Sequence, residues 1–77
     1  ESSFNNFFPM YVFKTIVLET PFVSGYEELA VEIDRLVNQA LAETPGARLV
    51  NAQSVQRGSV NGASGIWTIF VYVAMEK

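Results

Sequence analysis

Ile66-Trp67-Thr68-Ile69-Phe70-Val71-Tyr72-Val73-Ala74-Met75 is the stretch that decides the fold. It carries no charge, no Gly and no Pro, and β-branched and aromatic residues dominate it. That composition and length specify a strand. Trp67, Ile69, Val71, Val73 and Met75 make one large apolar face. Ile66, Thr68, Phe70, Tyr72 and Ala74 make the other, which is not a solvated polar face either. A strand apolar on both sides belongs in the middle of a sheet covered on both faces. One helix is evident in the chain and covers one face. The second cover is expected from another copy of the protein.

Upstream, Val60-Asn61-Gly62-Ala63 reads as a two-residue hairpin turn, because a type I′ turn needs φ > 0 at both central residues. The turn fixes a register between this strand and a second one within Ala47 to Val60. Val50 then faces Val73, Ala52 faces Val71, Ser54 faces Ile69 and Gln56 faces Trp67, on the helix side. On the reverse side Leu49 faces Ala74, Asn51 faces Tyr72, Gln53 faces Phe70, Val55 faces Thr68 and Arg57 faces Ile66. Gly58 and Gly65 near the tip predict an irregular hairpin end.

Met10 to Leu18 is the first strand. Val12, Ile16 and Leu18 share a face with Lys14, while Tyr11, Phe13, Thr15 and Val17 take the other. Pro21 ends it by removing a ladder donor. Ser24 to Glu43 is the helix: apolar residues fall at Tyr26, Leu29, Ala30, Ile33, Leu36, Val37, Ala40 and Leu41 with helical spacing. Ser24 with Glu27 fits a capping box, and Thr44-Pro45-Gly46 stops the helix. The order is β-α-β-β. A right-handed crossover leaves a gap between the first two strands, and the most apolar strand fills it. The fold class is therefore α+β: a three-stranded antiparallel sheet, order 1-3-2, packed on one helix and oligomeric. Residues 10 to 77 form this domain. Residues 1 to 9 precede it as an aromatic arm whose Phe4, Phe7 and Phe8 either plug into a neighbouring subunit or make no such contact.

A chain of 77 residues buries only roughly 60% of its unfolded surface, so partners or staples matter. Cys and His are both absent, which excludes disulfides and removes the usual general base and the commonest metal ligand. Eight acidic residues against five basic give a net charge of −3, and the basic residues are scattered, so nucleic acid is not an expected partner. No apolar run approaches the ~20 residues of a membrane span, so no membrane partner is expected. No signal-peptide pattern opens the chain, which makes the cytoplasm the expected compartment. The start at Glu1 rather than Met makes a trimmed or removed leader the alternative.

The residues offer no nucleophile–base pair and no Gly-rich phosphate loop followed by a helix. Glu27, Glu28, Glu32 and Asp34 lie on one helix, which alone cannot enclose a cation. No catalytic residue and no metal site are assigned, and the protein is not expected to be an enzyme. The informative feature is the reverse sheet face, where Phe70, Tyr72, Leu49 and Val55 lie among Asn51, Gln53, Thr68 and Arg57. Such a face serves as a subunit interface whose polar groups set the register. It also serves as a planar-ligand site, with aromatic faces for stacking and amides for ring edges. The two readings are compatible in a symmetric assembly.

Three stretches resemble the dodecins, a family of small flavin-binding β-α-β-β subunits that assemble into hollow dodecamers. Val12-Phe13-Lys14-Thr15-Ile16-Val17-Leu18 resembles the family's opening strand, Ile33-Asp34-Arg35 its mid-helix segment, and Val71-Tyr72-Val73-Ala74-Met75-Glu76 its closing strand. The likeness spans roughly residues 11 to 76 and implies the same fold and a closed homo-oligomer of up to twelve copies. The family's flavin-stacking Trp falls at Leu49 here and its flavin-contacting Gln at Thr68. The resemblance therefore implies a divergent or non-flavin member. The ligand-binding candidates are Leu49, Asn51, Gln53, Arg57, Thr68, Phe70 and Tyr72, with FMN, a related flavin or another planar cofactor as the ligand. The expected function is non-catalytic binding or storage of a small molecule. The alternative is a structural or assembly module.

Overall fold

The computed structural model describes residues 10–58 and 62–76. Four elements follow in order: β1 (Tyr11–Glu19), α1 (Tyr26–Ala42), β2 (Ala47–Gln56) and β3 (Trp67–Glu76). The sheet is three-stranded, in the order β1-β3-β2, and both pairings to β3 are antiparallel. The expected topology is the one observed. The aromatic arm and the Val60–Asn61 part of the hairpin turn lie outside the described residues.

β3 is central because its two faces are the most apolar in the chain, and a middle strand also satisfies every backbone group it carries. Ile69, Val71 and Val73 are 0% exposed. Leu36 of α1 packs on them, with Ile16, Leu18, Ile33, Val37, Leu41, Ala47 and Trp67 closing the cluster. A second cluster of Val23, Leu29 and Ala63 sits under the first turns of the helix and shares Ile33 and Trp67 with the first. Trp67 thus points to the helix side, as its parity requires. Its indole N–H donates to the Ala63 carbonyl at 2.8 Å, which ties the far end of the hairpin to the core.

The β1 register continues past the strand. The Thr20 N–H donates to the Trp67 carbonyl at 2.9 Å, and the Trp67 N–H donates to Thr20 Oγ1 at 2.9 Å. After Pro21 the chain returns to the sheet: Val23 and Gly65 exchange both backbone hydrogen bonds, at 2.8 and 2.9 Å. Gly65 does so at φ 128°, in backbone territory that suits glycine.

The helix begins two residues later than its spacing predicts. Gly25, in extended backbone, is the N-cap. Ser24 lies one position before it and bonds Glu28 rather than Glu27: its N–H donates to Glu28 Oε1 at 2.9 Å and its hydroxyl at 2.7 Å. The capping box is replaced by this clasp across i, i+4. The C-terminus ends as expected. Thr44 Oγ1 donates to the Ala40 carbonyl at 2.9 Å, and Gly46 turns the chain at φ 84°. Leu29, Leu36 and Ala40 are buried along the inner stripe, whereas Tyr26 is 67% exposed and stands off the core.

The β2–β3 register agrees with expectation from Asn51, opposite Tyr72, through Gln56, opposite Trp67. It breaks between Leu49 and Asn51, so that Leu49 faces Val73, Arg48 faces Ala74 and Ala47 faces Met75. Val50, expected opposite Val73, is the extra residue of a β-bulge. An unbroken ladder would have put Arg48 opposite the half-buried Met75, on the helix side. The bulge gives that place to Ala47, which packs on the core, and leaves Arg48 exposed. It also moves Leu49 from the reverse parity to the helix-side parity.

Replacing Ile69 by Ala should cost about 2–5 kcal/mol in urea unfolding, because the site is fully enclosed and cannot collapse. The Ser24 backbone N–H, and then its hydroxyl, hold the Glu28 carboxyl below its ordinary value of 4.5. A depressed folded-state value gives stability that is present above the ordinary value and lost as pH falls through the folded value. Thermal melts across this acid range should therefore show a shallower acid loss for Glu28→Gln than for the parent chain.

Candidate functional site

The sheet face away from α1 is the region the sequence singles out. β3 runs down its middle with Thr68, Phe70 and Tyr72, all half-buried. β2 sets Asn51 beside Tyr72, Gln53 beside Phe70 and Val55 beside Thr68. β1 sets Thr15 beside Tyr72, Val17 beside Phe70 and Phe13 beside Ala74. Period-two alternation brings these side chains to one surface. The structure therefore assembles Asn51, Gln53, Thr68, Phe70 and Tyr72 in a single patch, and Arg57 borders it. Leu49 is the exception: the bulge puts it on the other parity, next to Val73.

The patch is open. Phe13 is 73% exposed, Val17 58% and Val55 53%. With Tyr11, Phe70 and Tyr72 they share one sheet face, and exposed apolar residues grouped on one surface mark interaction sites. Its polar content is ordered. The Tyr72 hydroxyl donates to Gln53 Oε1 at 3.2 Å, along the diagonal that cross-strand neighbours allow. At the far end the Arg57 guanidinium, from beyond β2, bonds the Glu19 carboxylate at the end of β1. The pair spans β3, because Glu19 is opposite Thr68 and the Arg57 N–H donates to the Ile66 carbonyl at 2.9 Å. It bounds the apolar surface with a polar rim.

A second concavity lies on the helix side, where no candidate was expected. α1 packs over β2 and β3 and leaves a groove of about 390 Å³ against β1. Ile16, Leu18, Leu36 and Ala40 contribute its apolar lining, with Lys14 and Glu43 as its charged groups. None of the candidates on the open face lines it. One signal in the sequence pointed here: Lys14 interrupts the otherwise apolar column Val12, Ile16, Leu18.

Chemically, the open face offers flat aromatic surface and neutral amide and hydroxyl groups. Among the described residues no group of three or more His, Cys, Asp or Glu is placed to hold a metal ion. Among the described residues no helix is long and apolar enough to cross a membrane. No protein-family model matches the chain, and no curated protein or solved structure matches it.

The Arg57–Glu19 pair is more than half exposed on both sides, so it should contribute at most about 1 kcal/mol. A double-mutant cycle of Arg57→Met and Glu19→Gln, followed by urea unfolding, should give a coupling within that limit that shrinks with added salt.

Proposed function

We propose that the chain is a non-catalytic, homo-oligomeric small-ligand-binding protein of dodecin-like design, which holds a planar molecule against the open sheet face between subunits. The observation that carries this reading is the pairing of exposed apolar surface with fixed polar edges on one face. Phe13, Val17 and Val55 are more than half exposed, while Phe70 and Tyr72, half-buried, are flanked by Asn51, Gln53 and Thr68. Aromatic faces favour offset stacking on a conjugated ring, and amides satisfy hydrogen-bonding groups along a ring edge. Exposed apolar surface of this extent is favourably removed from water by a sister subunit, at roughly 25 cal/mol per Å². In this role Phe70 and Tyr72 stack, Gln53 and Asn51 read the ring edge, Thr68 supplies a hydroxyl, and Arg57 closes one end. Leu49 takes no part. FMN or a related flavin fits these features, as does any planar conjugated cofactor of similar size.

Native mass spectrometry and an absorption spectrum of the freshly purified protein test the reading together. A multiple of the 8.5 kDa chain is expected, with retained small-molecule mass and the absorbance of a conjugated ring. Val55→Glu should return the assembly toward smaller species and release the ligand. A bare monomer from the parent chain would overturn the proposal.

A further inference from the structure

The open face is not the whole unpartnered surface of the sheet. β1 is an edge strand of nine residues, Tyr11–Glu19. Thr20 gives its N–H to Trp67 in the β1–β3 register. The alternation of an antiparallel ladder then directs the N–H and C=O groups of Leu18, Ile16, Lys14 and Val12 toward β3. Those of Glu19, Val17, Thr15, Phe13 and Tyr11 point outward, away from the sheet. Among the described residues they have no backbone partner. A long edge with no bulge or proline, apolar except at Lys14, Thr15 and Glu19, is a template for another strand. The other edge is different: β2 is interrupted by the bulge at Val50 and carries Asn51, Gln53, Ser54 and Gln56.

We propose that β1 pairs antiparallel with β1 of a second copy, about a two-fold axis through Thr15, joining two three-stranded sheets into one. The inference rests on the homo-oligomer reading above and specifies how two copies meet. The strand is self-complementary in this register. Thr15 faces Thr15, Phe13 faces Val17 and Tyr11 faces Glu19, so every outward N–H and C=O finds a partner. Phe13 and Val17, at 73% and 58% exposure, form two aromatic–β-branched pairs on the open face. On the helix side Val12 faces Leu18 and Lys14 faces Ile16. The two Lys14 side chains then sit on a diagonal roughly 7–8 Å apart, and each shares its own groove with Glu43. Moving the axis to residue 14 sets the two lysines directly opposite each other. Moving it to residue 16 leaves Tyr11 and Val12 without a facing strand. A second copy fits this edge because an isologous contact needs one patch that complements itself. The joined sheets would present the two open faces as one continuous platform.

The chain has no cysteine, so introduced thiols report the geometry without background. Facing residues at hydrogen-bonded and non-hydrogen-bonded positions lie roughly 5.5 and 4.5 Å apart in Cα separation, inside the disulfide range. Mild oxidation of Thr15→Cys should give a covalent dimer on a non-reducing gel, whereas Ser54→Cys, exposed on the β2 edge and off the open face, should stay single. A mixture of Lys14→Cys and Ile16→Cys chains should also link, and neither variant alone should do so. Linking at Thr15 without linking in the mixture would mean that copies stack through their faces, which overturns the edge pairing. No linking in any variant, from a parent chain whose native mass is still a multiple, overturns it and leaves the homo-oligomer reading intact. A parent chain that is single by native mass removes both.

Discussion

The side chains of β3 require shelter above and below, and the chain has one helix to give. This mismatch governs the structure. On one side Leu36 and its neighbours on α1 close over Ile69, Val71 and Val73, and the enclosure is complete. On the other side, among the described residues, Phe70 and Tyr72 lean on their cross-strand neighbours Thr15, Val17, Asn51 and Gln53. Those neighbours reduce their exposure by half-covering them and leave their outer surface free. The same strand thus supplies both the rigid core and the unsatisfied surface.

The rest of the molecule holds that strand in register. Thr20 and Trp67 bond twice, Val23 and Gly65 bond twice, and Gln56 Nε2 donates to the Ser64 carbonyl at 2.7 Å. These contacts all lie at the hairpin-tip end, where three of the five glycines, Gly58, Gly62 and Gly65, fall. At the opposite end the register is set by packing instead. Ala47 packs on the core while Arg48 stays exposed, and a single extra residue at Val50 allows both.

That division explains what could be read from the sequence. The identity of β3, the 1-3-2 order and the pairing of Asn51 through Gln56 follow from local composition and from counting outward from a two-residue turn. Counting fails at Val50, because a bulge has no local signature among Leu49, Val50 and Asn51. Its consequence, Ala47 rather than Arg48 on the core side, is a tertiary matter. Ser24 was legible as a helix-start residue, but which of Glu27 and Glu28 it would grip was not, since that depends on Gly25 taking the cap position. Within the candidate site the central column Thr68, Phe70, Tyr72 and its β2 neighbours Asn51 and Gln53 were legible from parity alone. Leu49 was misplaced by the bulge. The groove beside Lys14 was missed because it depends on where the helix axis lies across the sheet, and amphipathic spacing does not specify that offset.

The kink at Val50 has a consequence for how far strands can add to one another. A sheet with two competent borders behaves as a bifunctional monomer, and repeated addition gives a filament. Here one border is irregular and polar, so under the proposed edge pairing the unit would be monofunctional in that direction. Lateral growth would terminate after a single coupling step. The one extra residue at Val50 would then act as a chain stopper against fibre formation.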